Sequence, residues 1–177
     1  MNAIIDGMET PNEKIRFGCG NCSLGAVLVA ASRAGIVAIF IKDTPDQLRR
    51  DLIAAFPHAS LIADQAGLAE TIARVVAFVE TQGEELDLPL DVRGSPVERA
   101  VWRALRDVPS GQIVTYGQIA RSLPLPVTAQ EVGAACAANM IAVAIPCHRV
   151  VKADGSISGY RWGVQRKRKL INREAVA

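Results

Sequence analysis

The chain has 177 residues, 50% of them hydrophobic and 21% charged, a balance that excludes intrinsic disorder and supplies the core of one compact domain or two small ones. No apolar run reaches the roughly 18 residues of a membrane span, and the first ten residues, with Asp6 and Glu9, lack the basic start of a secretory signal. The net charge of +2 hides a division, since residues 1–90 hold 7 basic against 12 acidic side chains and residues 91–177 hold 13 against 6.

A cytoplasmic, monomeric protein without membrane contact is therefore expected. Its basic second half fits either a polyanionic partner or a solvated helix face. Four cysteines, Cys19, Cys22, Cys136 and Cys147, are too few for a disulfide framework in a chain this long, so free thiols are expected.

Residues 1–14 are polar, contain Pro11 and show no period, which reads as a flexible leader. The apolar runs 25–32 and 35–41, joined by a short polar link, predict an antiparallel hairpin. Thr44-Pro45-Asp46-Gln47 then offers a hydroxyl cap, proline at the first helical position and a glutamine to close a capping box. A second helix is predicted over 65–82 from Leu68, Ile72, Val75, Val76 and Val79 at helical spacing. After residues 83–89, Leu90-Asp91-Val92 reads as a short strand or connector, and the boundary between two units falls there.

Ser95-Pro96-Val97-Glu98 repeats the capping pattern ahead of a stripe of Val97, Val101, Trp102 and Leu105, ending near Pro109-Ser110-Gly111. Thr115 to Gln118 starts a short helix that stops by Leu123. Beyond a proline-rich turn, Thr128-Ala129-Gln130-Glu131 caps another, running to Ala138. Two short helices joined by a tight turn have the outline of a helix-turn-helix, although such hairpins are also common core elements. The small residues of the second one let it approach either a protein core or the floor of a DNA groove.

Residues 141–145 read as a buried strand-like stretch that meets Pro146-Cys147-His148-Arg149-Val150-Val151. A cysteine beside an imidazole and cationic groups is pushed toward thiolate, the nucleophilic form. The same residues taken alone also fit an inert buried cysteine before a surface histidine. Side chains of neighbouring residues diverge on an extended backbone, so a turn or a bridging water is needed to connect Cys147 with His148.

Cys19 and Cys22 have the spacing of a zinc knuckle, but no second ligand pair follows, and no metal is expected. Cys136 reads as packing, Trp102 as core beneath the helix pair and Trp162 as the rim of a pocket. The basic run 166–169 reads equally as a solvated face or a phosphate contact.

Pro146 to Val150 resembles the active-site motif of the O6-alkylguanine-DNA alkyltransferases. So do Ala135-Cys136-Ala137-Ala138-Asn139, the segment 155–163 and the closing Leu170-Ile171-Asn172-Arg173-Glu174, with the bacterial adaptive-response branch most similar. The resemblance implies an α/β (α+β) fold: a small amino-terminal domain over 15–90 with an antiparallel sheet and helices, then a mostly helical DNA-binding and active-site domain over 91–177 containing a helix-turn-helix. It implies irreversible transfer of an alkyl group from guanine O6 in double-stranded DNA, or O4 of thymine, to a cysteine, with no cofactor.

Carried over by position, Cys147 would accept the alkyl group and His148 would take its proton through a water. Glu174 would orient the histidine, Asn139 would tie the recognition helix to the active-site segment, and Tyr116 would assist protonation of the leaving guanine. The Val150 carbonyl and the Arg161 backbone would recognise the base, with Tyr160 lining the pocket. Thr128, Ala129, Gln130 and Arg149 would meet DNA.

One position departs from the family. An arginine normally enters the base stack where this chain has Gln130, followed by Glu131, which would repel phosphate unless Thr128 occupies its carboxylate. Weaker flipping of the base follows as an expectation. A damage-binding protein with weak or no transfer is the alternative reading, and a multiple-turnover thiol hydrolase is a third.

Overall fold

The computed structural model describes residues 10–81 and 86–176, beginning with strand β1 (Lys14–Cys22). Within the segment expected as a leader, Asn12 donates to the His58 carbonyl at 3.0 Å, and Glu13 takes two hydrogen bonds from Arg93 at 2.6 and 2.8 Å. The rest of the expected leader lies outside the described residues. Nothing in the alternation of side chains announces β1, because Gly18 and Gly20 interrupt it. Both glycines make room for Ile72, since a Cβ would stand 2.8 Å from its Cδ1 at Gly18 and 2.6 Å from its Cγ2 at Gly20.

The predicted hairpin forms as β2 (Gly25–Ala31) and β3 (Ile36–Lys42), antiparallel to each other. Helix α1 (Pro45–Ala55) starts from the Thr44–Gln47 capping box. A further strand, β4 (Ser60–Ala63), lies parallel to β1 and gives the sheet order β3-β2-β1-β4. It is too short for its pattern to stand out from a loop. Helix α2 (Ala69–Thr81) is shorter than the periodicity predicts and buries Ile72, Val75, Phe78 and Val79. Both helices pack on the sheet.

The open edge of β3 positions the rest of the chain. Ile36 bonds the Pro89 carbonyl and receives the Asp91 N–H, at 2.8 and 2.9 Å. Ile39 likewise bonds the Met140 carbonyl and receives the Ala142 N–H, at 2.9 and 3.0 Å. Covering an edge in this way removes a pairing hazard and anchors two distant segments at once. Residues 141–145 are consequently not a strand. After one bridge at Ile141 the backbone reverses through Val143, at φ +62°, a conformation uncommon for a β-branched residue.

Helix α3 (Pro96–Arg106) starts at the Ser95–Glu98 capping box and buries Val101, Trp102 and Leu105. Trp102 fills the core as expected, its indole Nε1 donating to the Ala135 carbonyl at 2.8 Å. Strand β5 (Val114–Thr115) leads into α4 (Tyr116–Ser122), and α5 (Ala129–Ala138) follows from the Thr128–Glu131 capping box. Helices α3 and α4 both pack on α5. A single 3-10 turn (Cys147–Arg149) precedes β6 (Val150–Val151), which pairs in parallel with β5. Helix α6 (Val164–Ala175) closes the chain and buries Lys167, Leu170 and Glu174. One continuous apolar core joins the sheet to these helices. Among the described residues no helix is long and apolar enough to cross a membrane.

Candidate active site

The reversal at Val143 delivers Cys147 to the end of α5, where Asn139 caps the helix. Asn139 is 2% exposed and uses both ends of its amide. Its Oδ1 accepts from the Ile141 N–H at 2.8 Å, and its Nδ2 donates to the Ile145 carbonyl at 3.0 Å and to the Cys147 sulfur at 3.2 Å. The side chain thus fixes the helix, the reversed segment and the thiol relative to one another.

Cys147 begins a 3-10 turn, so the divergence expected of an extended backbone does not apply. Burial holds its thiol well above the ordinary range, and the neighbouring Cys136 adds to this, while Asn139 and Lys167 act the other way. Cys136 is lowered by the hydrogen bond that Cys147 makes to it, against the effect of burial.

Behind the thiol lies a buried charge network. His148, wholly buried, shares a hydrogen bond of 2.7 Å between Nε2 and Glu174. Arg149 approaches the same carboxylate twice, at 2.9 and 2.8 Å, and donates to the Val108 carbonyl at 2.6 Å. Burial opposes ionisation of Glu174, yet the hydrogen bonds from His148 and Arg149 hold its carboxyl down to about 2. Burial also lowers His148, with Glu174 opposing. A neutral imidazole that donates from Nε2 keeps Nδ1 as its acceptor, and that atom is buried with no hydrogen-bond partner among the described residues. Arg149, expected from the sequence to meet DNA, is buried, and its hydrogen bonds among the described residues go to Glu174 and Val108.

In front of the thiol a cavity of about 410 Å³ is lined by Cys147, Cys136, Tyr116, Gly159, Tyr160 and Arg161, with Gly133 and Ala137. Tyr116, Tyr160 and Arg161 thus share one cavity wall with the cysteine. Val150 is buried in β6 and is not part of that wall. Tyr116 and Gly133 also line a broad, open groove of about 690 Å³ that runs past Ala129, Gln130, Arg121 and Lys152. Gln130 is exposed on the first turn of α5. The carboxylate of Glu131 accepts from the Thr128 N–H at 2.7 Å and the hydroxyl at 2.8 Å, so the capping box does occupy it.

Three further readings change. Cys136 is a cavity residue as well as a packing one. Trp162 is buried at the sheet, its ring 5.0 Å from that of Phe40, and is not on the rim. Lys167 is no member of a solvated face, being 1% exposed, and its place on one helical stripe with Leu170 and Glu174 is the signal that could have marked it. Cys19 and Cys22 stand three apart on β1, hence on opposite faces. Ser158, hydrogen-bonded to both Tyr116 and Lys167, had no local signature.

Comparison with known proteins adds to this geometry. Residues 96–176 match the DNA-binding domain of the 6-O-methylguanine DNA methyltransferases. The bifunctional transcriptional activator/DNA repair enzyme Ada of Escherichia coli is 42% identical over 164 residues, 93% of this chain and 46% of that protein. The chain thus spans about half the length of that relative. The inducible methylated-DNA–protein-cysteine methyltransferase of Bacillus subtilis is 31% identical over 147 residues, 82% of each chain. The crystal structure of Mycobacterium tuberculosis OGT in complex with DNA superposes with a TM-score of 0.76 at 27% identity, covering 92% of this chain and 93% of that one.

Proposed function

Because the chain belongs to the methylated-DNA–protein-cysteine methyltransferase family, we propose that it repairs double-stranded DNA by moving an alkyl group from guanine O6 to Cys147, once per molecule. The observation that carries this reading is the Cys147 thiol in the wall of a cavity, with the ionised Glu174 and the free Nδ1 of His148 buried behind it.

In this reading α4 and α5 form a helix-turn-helix, within a DNA-binding half over 91–177, that sets Thr128, Ala129 and Gln130 on the duplex. A base cannot meet the sulfur from within the stack, so the nucleotide is turned out into the cavity at a cost of a few kcal/mol. Contacts of the basic half with phosphates offset that cost. Gln130, shorter than arginine and uncharged, fills the gap in the stack less well.

Inside the cavity Tyr160 lines the base, the Arg161 backbone reads its edges, and Tyr116 protonates the leaving purine. His148 takes the thiol proton at Nδ1 by way of a bridging water, and Glu174 stabilises the imidazolium that results. The sulfur then displaces the purine from the alkyl carbon. The product is a thioether, which offers water no activated carbon, so the protein is consumed.

The test is intact-mass spectrometry after incubation with a duplex carrying one O6-methylguanine. A gain of one methyl group per chain, absent in Cys147→Ala, is expected. An unchanged mass in the unsubstituted chain overturns the reading, and turnover beyond one equivalent favours a hydrolase.

A further inference from the structure

The open groove beside the cavity carries a charge pattern to which the reaction above gives no task. Among the described residues that line it two are charged, Arg121 and Lys152, both positive, and there is no carboxylate. Both side chains are exposed, and neither has an ion pair with a carboxylate among the described residues. By contrast Arg93, Arg149 and Arg166 of the same basic half are tied to carboxylates at 2.6, 2.8 and 2.5 Å. The acidic residues that adjoin the groove in sequence are occupied elsewhere. Glu131 is held by Thr128, and the Asp154 carboxylate accepts from the Ser156 N–H at 2.9 Å and its hydroxyl at 2.6 Å.

The local fold sets these two cations about one residue, Tyr116. Thr115 of β5 pairs with Val151 of β6, so Lys152 leaves the sheet beside the start of α4. Arg121 stands one helical turn beyond Gly117, and its guanidinium folds back over that glycine: a Cβ there would stand 3.2 Å from Nη1 and 4.0 Å from Cζ. Residues 115 and 117 flank Tyr116, and Tyr116 lines both the groove and the cavity. Two unpaired cations thus bracket the doorway between them.

We propose that Arg121 and Lys152 grip the two phosphates that flank the turned-out nucleotide, one on each side of it. The proposal rests on the functional reading above. A nucleotide stays tied to its strand through those two phosphates, so both are drawn toward the doorway when its base enters the cavity. A cation held there meets phosphate more closely in the turned-out state than in the stacked one, and only such a difference shifts the balance between the two states. The guanidinium offers a fork of donors and the ammonium a compact charge, and both are suited to phosphate oxygens.

Neutralising single phosphates tests the assignment. Duplexes with one O6-methylguanine carry an uncharged methylphosphonate just before the lesion, just after it, or at a remote step. Single-turnover rates of Cys147 methylation at subsaturating protein are compared for the unsubstituted chain, Arg121→Gln, Lys152→Gln and Arg33→Gln, the last an exposed cation outside the groove. On the ordinary duplex each groove variant is expected to be about fivefold slower, the upper end for an exposed ion pair, and its salt dependence to be shallower by about 0.9 in slope, as loss of one phosphate contact implies. The unsubstituted chain and Arg33→Gln are slowed by both flanking methylphosphonates and not by the remote one. Each groove variant becomes insensitive to one flanking position, a different one for each, while Arg121→Lys and Lys152→Arg keep the charge and the sensitivity. Either groove variant remaining sensitive to both positions overturns the proposal, as does Arg33→Gln behaving as the groove variants do. Failure of the unsubstituted chain on the ordinary duplex overturns the function itself, and no variant is needed to see it.

Discussion

Replacing Glu174 by glutamine keeps the shape of the side chain and removes its charge. The carboxylate is 3% exposed and takes hydrogen bonds from Nε2 of His148 and from Nε and Nη2 of Arg149. Holding a carboxyl near 2 instead of 4.5 corresponds to about 3 kcal/mol of folding stability, each tenfold change in acidity being worth about 1.4 kcal/mol. Loss of one partner from a buried ion pair costs about 3–5 kcal/mol by comparison with other proteins, and the two figures agree. Glu174→Gln should therefore lower the unfolding free energy by about 3–4 kcal/mol at pH 7.

The direction with pH follows from the lowered folded-state value. The stabilisation is fully present above the unfolded value and is lost as pH falls from there through about 2. By pH 3.5 the advantage of the native chain over Glu174→Gln shrinks by about 1.4 kcal/mol. Urea unfolding of both proteins at pH 7, 5 and 3.5, followed by circular dichroism, measures it. A difference under about 1 kcal/mol at pH 7, or one that stays constant on acidification, refutes the reasoning.

Asn139→Ala leaves the Ile141 N–H without its partner, while the Ile145 carbonyl keeps the Cys147 N–H at 2.8 Å; at about 1–3 kcal/mol for one buried group left unpaired, a loss of about 1–3 kcal/mol is expected in the same unfolding assay. Gln130→Arg is expected to speed transfer from a methylated duplex several-fold and to leave transfer from a methylated single strand unchanged, because only the duplex has a stack to fill; equal duplex rates would sink the idea.

Local structure was legible wherever its cause lies within a few residues. The capping boxes at Thr44, Ser95, Thr115 and Thr128 each join a hydroxyl to the backbone three positions on, and the bounds of α5 can be read directly. The hairpin of β2 and β3 is likewise local. Cys147 and His148 could be singled out because their chemistry is intrinsic to the side chains, whereas Tyr116 was marked only by the family resemblance.

What long-range contact decides was not legible. Arg149 reads as a DNA contact in its own neighbourhood, and only the folding back of Glu174, 25 residues away, turns it inward. Residues 141–145 are apolar like a strand, but pairing at the β3 edge and the Asn139 amide turn them into a reversal. Lys167 sits in a basic run, and its burial depends on which face of α6 meets the core. A sequence states which groups are available and where helices begin. Which charges lose their water, and to which partner, is settled by tertiary packing, because desolvation depends on neighbours that the chain brings from far away.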